Sequence, residues 1–149
     1  MEGFTIRKLK KGDLQKGFLE SLSNLFKVDL TLAQSEKIFE QIHANPVYRI
    51  FVAELKDEIV GAITLLVEQK FLLQGAKFGY LEDLAVQKRF QGRAIGKMLI
   101  DAAVAEAKRE GCRVVRLDCN DRVAILYDKG GFHKKGHVNR MQINLTPDL

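Results

Sequence analysis

A strand that ends in a glycine-bearing loop and runs straight into a helix occupies the middle of this sequence, from Leu81 to Lys97 (LEDLAVQKRFQGRAIGK). The apolar run Leu84-Ala85-Val86 closes an extended segment that carries the acidic pair Glu82-Asp83. A basic turn, Gln87 to Phe90, leads into Gln91-Gly92-Arg93-Ala94-Ile95-Gly96. From there Ile95, Met98, Leu99, Ala102 and Ala103 recur at three- and four-residue steps, one face of an α-helix. N–H groups in the first turn of a helix lack intrahelical acceptors and lie at the positive end of its dipole. Glycines let an anion come close, so such a turn can hold a phosphate or pyrophosphate. Lys88, Arg89, Arg93 and Lys97 add positive charge.

The spacing narrows the ligand. A phosphate-binding Walker A loop needs four residues between its glycines and Ser or Thr after the lysine. Here three residues separate Gly92 from Gly96, and Met98 follows Lys97, so that pattern fails. The dinucleotide pattern G-x-G-x-x-G is absent too. What fits is Q/R-x-x-G-x-G/A, with Gln91 and Gly96 in place and Ala94 standing where glycine is usual. This loop resembles the acetyl-CoA loop of the GNAT superfamily of N-acetyltransferases.

The rest of the chain supplies a scaffold of matching size. Its 149 residues suit one domain, residues 1–149, with its own core. The longest apolar run, Ile59 to Val67, falls well short of the roughly twenty residues of a membrane helix, so no span is expected. No signal-peptide h-region follows Met1-Glu2-Gly3, which predicts a cytoplasmic protein, with organelle targeting left open. The formal charge of +5 suits a polyanionic small ligand better than nucleic acid, because the basic residues are scattered and no aromatic stripe accompanies them. Cys112 and Cys119 make neither zinc spacing nor a disulfide framework and read as small hydrophobes. His133 and His137 are four apart, but Gly131 and Gly136 argue against a helix there, so no metal is expected.

In chain order, Thr5 to Leu9 reads as a strand with Ile6 facing inward. Gly12-Asp13 supplies a turn and an N-cap for a helix to about Leu25, with Leu14, Phe18, Leu22 and Leu25 on one face. Thr31-x-x-Gln34 is a capping box for a second helix, which Asn45-Pro46 ends. Tyr48 to Leu55 and Ile59 to Phe71 form a hairpin about Lys56-Asp57-Glu58, with a bend or bulge expected in the longer strand. Phe78 to Val86 completes the meander beyond Gln74-Gly75. Ile95 to Glu110 is the helix after the loop and stops at Gly111. A strand, Val114 to Cys119, a short helix, Val123 to Lys129, and closing strands at Phe132 and Asn139 to Leu145 finish the chain. This order predicts an α/β fold with a mixed, largely antiparallel central sheet flanked by helices, as in GNAT proteins.

Longer motifs narrow the likeness. The opening Arg7 to Leu25, Glu68 to Leu73 (EQKFLL), Gly79 to Val86 (GYLEDLAV) and Gln91 to Asp101 all take part. So do Gly111-Cys112-x-x-Val115-x-Leu117-Asp118-Cys119 and Leu126 to Phe132 (LYDKGGF). Together they resemble the eukaryotic glucosamine-6-phosphate N-acetyltransferase family over nearly the whole chain. The resemblance implies acetyl transfer from acetyl-CoA to the amine of glucosamine 6-phosphate, on the route to UDP-N-acetylglucosamine. It also implies a homodimer whose active sites are completed across the interface by residues near the C-terminus.

Carried over, the acetyl-CoA contacts fall on Leu84, Ala85, Val86, on Gly92, Arg93, Ala94, Ile95, Gly96, Lys97, and on Tyr127, Asp128, Lys129. The sugar contacts fall on Lys70, Phe71, Leu72, Leu73, Glu82, Asp83, Leu84, Arg113, Val114 and Asp118. Chemistry suggests the catalytic roles. A backbone N–H near Leu84 suits the oxyanion of an attacked thioester, and the Tyr127 phenol suits the leaving thiolate. Glu82 and Asp118 suit the sugar's hydroxyls or amine. Blander roles stay open: Asp83 as a turn or salt-bridge residue, Asp118 as a cap, Tyr127 as a core aromatic. The chain departs from the family at Phe26, where a threonine is usual, and at Asn144, where an arginine is usual. With that cation gone, Arg140 and Lys70 are the candidates for the sugar phosphate. The competing functions are a GNAT enzyme acting on a lysine, a polyamine or another small amine, and a CoA-binding module without turnover.

Overall fold

A computed structural model describes residues 3–136 and 141–145. Among these residues five strands form one sheet in sequence order: β1 (Phe4–Lys8), β2 (Tyr48–Leu55), β3 (Glu58–Gln69), β4 (Lys77–Val86) and β5 (Cys112–Leu117). The first four pair antiparallel, and β5 lies parallel to β4. The mixed, largely antiparallel sheet expected from the sequence is therefore present. Lys56 and Asp57 turn the β2–β3 hairpin with positive φ at both residues, the turn whose twist matches that of the strands.

Side-chain alternation gives the sheet two apolar faces. Ile63, Leu65, Val67 and Leu81 lie with Leu99, Ile100 and Ala103 of helix α4 (Ile95–Arg109) in one buried cluster. Each fully buried Leu or Ile there contributes about 1.5–3 kcal/mol. Val52, Ile59 and Ala62 face the other way, against Leu14, Phe18 and the partly buried Leu22 and Phe39. Those last residues come from a 3-10 turn (Lys11–Gln15), α1 (Phe18–Leu22) and α2 (Leu32–His43). The α2 capping box forms as expected: Gln34 N donates to Thr31 Oγ1 at 3.2 Å, and Thr31 N donates to Gln34 Oε1 at 2.9 Å.

The single helix expected from Asp13 to Leu25 is instead two short pieces. Gly17 breaks it with φ +101°, and a Cβ there would lie 2.5 Å from the Ile59 carbonyl oxygen. Close passage of this turn over β3 thus sets the break, a tertiary contact that local periodicity does not contain. Asp13 is not a helix cap either. It is buried and takes two hydrogen bonds from Arg7, at 2.7 and 2.8 Å.

The expected irregularity in β3 lies where Ala53 pairs Gly61 and Glu54 pairs Ile59, which leaves Val60 as an extra residue. A second bulge falls in β4. Ala62 pairs Ala85 and Thr64 pairs Glu82, so Asp83-Leu84 faces only Ile63. β3 stops at Gln69, and the one-turn helix α3 (Leu72–Gly75) follows, with Leu73 and Gln74 in the left-handed region. The short helix α5 spans Asp121–Asp128.

The closing strands are not formed among the described residues. Phe132 belongs to no strand, and residues 141–145 are irregular, with Met141, Ile143 and Leu145 exposed. Their alternation suits a strand, but they pair with no strand among the described residues. Residues 137–140, which include Arg140, His137 and the start of that expected strand, lie outside the described residues.

Candidate active site

The parallel β4–β5 ladder ends at Leu81–Leu117, whereas β4 continues to Val86. Among the described residues the last half of β4, beyond Leu81, therefore has no strand neighbour on its β5 side, and the bulge at Asp83-Leu84 falls there. Asp83 adopts φ +53°, which costs about 1–2 kcal/mol for a residue with a Cβ. Such strain is common where a backbone is shaped for a ligand.

Gln87 is buried and pins the exit from β4: its N donates to the Val60 carbonyl and its Nε2 to the Ile59 carbonyl, at 2.9 and 2.8 Å. A 3-10 turn (Lys88–Phe90) then leads to the loop. Gln91 ties this loop back to the strand through Nε2 to the Val86 carbonyl, at 3.1 Å. Gly92 takes φ +79°, a conformation that favours glycine. Ala94 sits at the N-cap of α4 with φ +60° and makes no side-chain cap. An alanine has no oxygen with which to cap, so the first-turn amides of Ile95, Gly96 and Lys97 receive no capping side chain.

The charge around this turn is held in place. The guanidinium carbons of Arg89 and Arg93 lie 4.9 and 5.4 Å from the Phe90 ring. Arg89 also pairs with Glu58, and Lys97 with Asp101 at 2.5 Å. Leu84 and Leu126 both approach Gly96: a Cβ built there would lie 3.5 Å from Leu126 Cδ2 and 4.0 Å from Leu84 Cδ2. The end of β4, the start of α4 and helix α5 thus converge on one turn.

Tyr127, on α5, packs against the main core cluster and meets Phe132 edge-on, with ring centroids 5.9 Å apart. Burial raises its phenol pKa above the ordinary value, and the nearby Cys119 charge adds to this. The hydroxyl therefore stays protonated throughout the neutral range. Asp128 and Lys129, at the end of α5, are exposed.

Sugar-site expectations divide into two groups. Glu82 pairs with Thr64 on the sheet face turned away from α4, and alternation puts Tyr80 and Phe78 on that face with it. Arg116 pairs with Tyr80 and Val114 with Phe78, so they and Asp118 share that side. The Tyr80 hydroxyl donates to Asp118 Oδ2 at 2.6 Å. Lys70, past the end of β3, pairs with Glu68 at 2.5 Å. The second group lies apart: Phe71, Leu72 and Leu73 project from the α3 turn, Phe71 fully exposed. Arg113 is the extra residue of a bulge in β5 between the Lys77–Cys112 and Phe78–Val114 pairs.

Tyr80, Phe78 and Arg116 were missed in the sequence, although a period of two from Glu82 and Asp118 points straight at them. Missed as well was a largely apolar cavity of about 520 Å³ between α1, α2 and the sheet, which reaches Thr64 and Asp83. Among the described residues no group of three or more His, Cys, Asp or Glu could hold a metal ion, and no helix is long and apolar enough to cross a membrane.

The parting of β4 from β5 beyond Leu81, the bulge on that open edge and the uncapped start of α4 thus lie together at one end of the sheet. Residues 18–132 match the acetyltransferase (GNAT) family. The chain belongs to the GNAT acetyltransferase family. It is 33% identical over 138 residues to the glucosamine 6-phosphate N-acetyltransferase of Arabidopsis thaliana, covering 90% of this chain and 93% of that protein. It is 29% identical over 151 residues to glucosamine 6-phosphate N-acetyltransferase 1 of Dictyostelium discoideum, covering 99% and 96%. The crystal structure of the Arabidopsis thaliana enzyme matches with a TM-score of 0.90 at 31% identity, over 96% of this chain and all of that one. The resemblance read in the sequence is borne out. GNAT acetyltransferases take their acetyl group from acetyl-CoA, and the uncapped α4 start beside Gly92 fits the pyrophosphate of that co-substrate.

Proposed function

We propose that this chain is an N-acetyltransferase, one domain over residues 1–149, that moves the acetyl group of acetyl-CoA to the amine of glucosamine 6-phosphate. The observation that carries the proposal is the open edge of β4. It joins the uncapped α4 start to a face bearing Glu82, Tyr80 and Asp118, so donor and acceptor would meet at Leu84.

Bound acetyl-CoA would supply the thioester carbonyl and the thiol leaving group. First-turn amides of α4, with Gly92 and Arg93, bind its pyrophosphate, and Leu84 to Val86 hold the pantetheine arm along the strand edge. Glu82 and Asp118 orient the acceptor, Asp118 being fixed by the Tyr80 hydroxyl, so that the neutral amine faces the carbonyl carbon. As the carbon–nitrogen bond forms, charge collects on the carbonyl oxygen, and the Leu84 N–H, which has no counterpart in the β3 register, suits that position. Collapse breaks the carbon–sulfur bond. Tyr127 gives its proton to the departing sulfur and recovers one from the nitrogen by way of solvent, so charge and protons balance. Holding both substrates together gains mainly from orientation.

A homodimer belongs to the same proposal. Phe26, Phe71, Leu72, Met141, Ile143 and Leu145 are large exposed apolar side chains, and a second copy covering them would also close the acceptor face. Following thiol release while both substrates are varied tests the reaction. Intersecting initial-rate lines with glucosamine 6-phosphate are expected. Parallel lines would mean a covalent acetyl-enzyme, and no release above hydrolysis would mean a binding module.

A further inference from the structure

The acceptor face carries two cations that converge on one aromatic ring. The Arg116 guanidinium carbon lies 4.8 Å from the centroid of the Phe78 ring, and Lys70 Nζ lies 5.9 Å from the same centroid. Phe78 itself is buried, so its ring is a fixed platform. Arg116 reaches it from β5 and Lys70 from the end of β3, which puts positive charge at two edges of the β4 strand. Lys70 has Glu68 as partner, whereas Arg116 makes no salt bridge among the described residues. An exposed guanidinium held over a ring, with its donor edge left for a ligand, is poised to take an oxyanion through two parallel hydrogen bonds.

Position selects which oxyanion. Along β4, Phe78, Tyr80 and Glu82 follow one another on one face, about 6.6 Å apart per two-residue step. Glu82 and the Tyr80–Asp118 pair mark the end where the amine must react, and the Phe78 platform lies at the far end of the same row. A hexosamine laid along that row, amine toward Leu84, points its C6 substituent along the row in the direction of the Phe78 platform and its two cations. We propose that Arg116, with Lys70, forms the phosphate clasp of the acceptor site and is the residue that makes the enzyme prefer the phosphorylated sugar. This inference rests on the amino-sugar phosphate reading above. It gives the phosphate a cation from the sheet itself, where the sequence had left only Lys70 and Arg140.

The test is kcat/KM for glucosamine 6-phosphate and for plain glucosamine in the parent, Arg116→Ala and Arg116→Lys. The expected result is a loss of about ten- to hundredfold for the phosphorylated sugar in Arg116→Ala, carried by KM. The value for glucosamine and the KM for acetyl-CoA should hold, and lysine, unable to fork, should restore only part of the loss. If the parent prefers the phosphorylated sugar and Arg116→Ala keeps that preference, the clasp is wrong although the proposed function stands. If both sugars lose equally, Arg116 only packs against Phe78, and the clasp is again refuted. A parent that does not distinguish the two sugars refutes the acceptor itself. Thermal melting of each variant separates a folding defect from these outcomes, and inorganic phosphate should protect the parent's Arg116 from guanidinium-directed modification.

Discussion

Replacing Gly96 with alanine separates the fold's requirements from the ligand's. Gly96 is the second residue of α4, and a Cβ there would sit 3.5 Å from Leu126 Cδ2, an ordinary van der Waals distance. Nothing in the protein therefore excludes a methyl group. Alanine is the better helix former by about 1 kcal/mol in a helix interior, and less than that is gained in a first turn. At about 2–4 °C per kcal/mol for a chain of this size, the melting temperature should hold or rise by a degree or two. Acetyl-CoA affinity should do the opposite, because the added methyl stands where the pyrophosphate has to approach the first-turn amides. Losing one charge-assisted hydrogen bond, about 1.5–3 kcal/mol, weakens binding by roughly ten- to hundredfold. Calorimetric titration with CoA beside a thermal melt gives both numbers. Unchanged affinity in a folded variant would refute the placement of the pyrophosphate at this helix start, and a lowered melting temperature would show that Gly96 is there for packing.

Two further predictions concern Tyr127 and the Arg7 network. Tyr127→Phe should lower kcat by about 10²–10⁴-fold and leave acetyl-CoA affinity in place. Because burial raises the phenol's pKa, parental kcat should fall only above the ordinary phenol value of about 10, and the variant should lack that limb; kcat within about twofold of the parent would make Tyr127 a packing residue. Arg7→Ala leaves the buried Asp13 carboxylate without its bidentate partner, at a cost of about 3–5 kcal/mol, or a melting temperature lower by about 6 °C or more. Burial alone would raise the Asp13 pKa, but the Arg7 hydrogen bonds and the Lys10 N–H outweigh it and lower the value. The stability this gives is present above the unfolded value of about 3.9 and is lost as pH falls through the lower folded one. Melting curves at pH 7 and pH 3 should therefore differ less in Arg7→Ala than in the parent, and an unchanged difference would assign the acid sensitivity elsewhere.

What the sequence made legible was what is local. The Thr31-Gln34 capping box, the turn at Lys56-Asp57, the meander and the loop into α4 each follow from residue types at short spacing. The break at Gly17 does not, because it depends on the Ile59 carbonyl more than forty residues away. The β4 bulge is hidden for a similar reason: Asp83 is an ordinary strand neighbour until the register with β3 leaves an extra residue in β4. Tyr80 and Arg116 were readable in principle by counting in twos from Glu82 and Asp118, but the pairing of β4 with β5 was needed to set them side by side. At the end of the chain, Met141, Ile143 and Leu145 alternate as a strand does, yet an alternation names no partner, and these side chains stay exposed.

Donor and acceptor are proposed to meet at one open strand edge, and acceptor selectivity measures that most directly. Purified protein with saturating acetyl-CoA is given glucosamine 6-phosphate, glucosamine or a lysine peptide, and kcat/KM is taken from thiol release with the product identified by mass spectrometry. N-acetylglucosamine 6-phosphate is the expected product, with a kcat/KM for the phosphorylated sugar at least about a hundredfold above either alternative, the effect of a charge-paired phosphate. Equal use of the peptide or of plain glucosamine would contradict it and leave an N-acetyltransferase with a different acceptor.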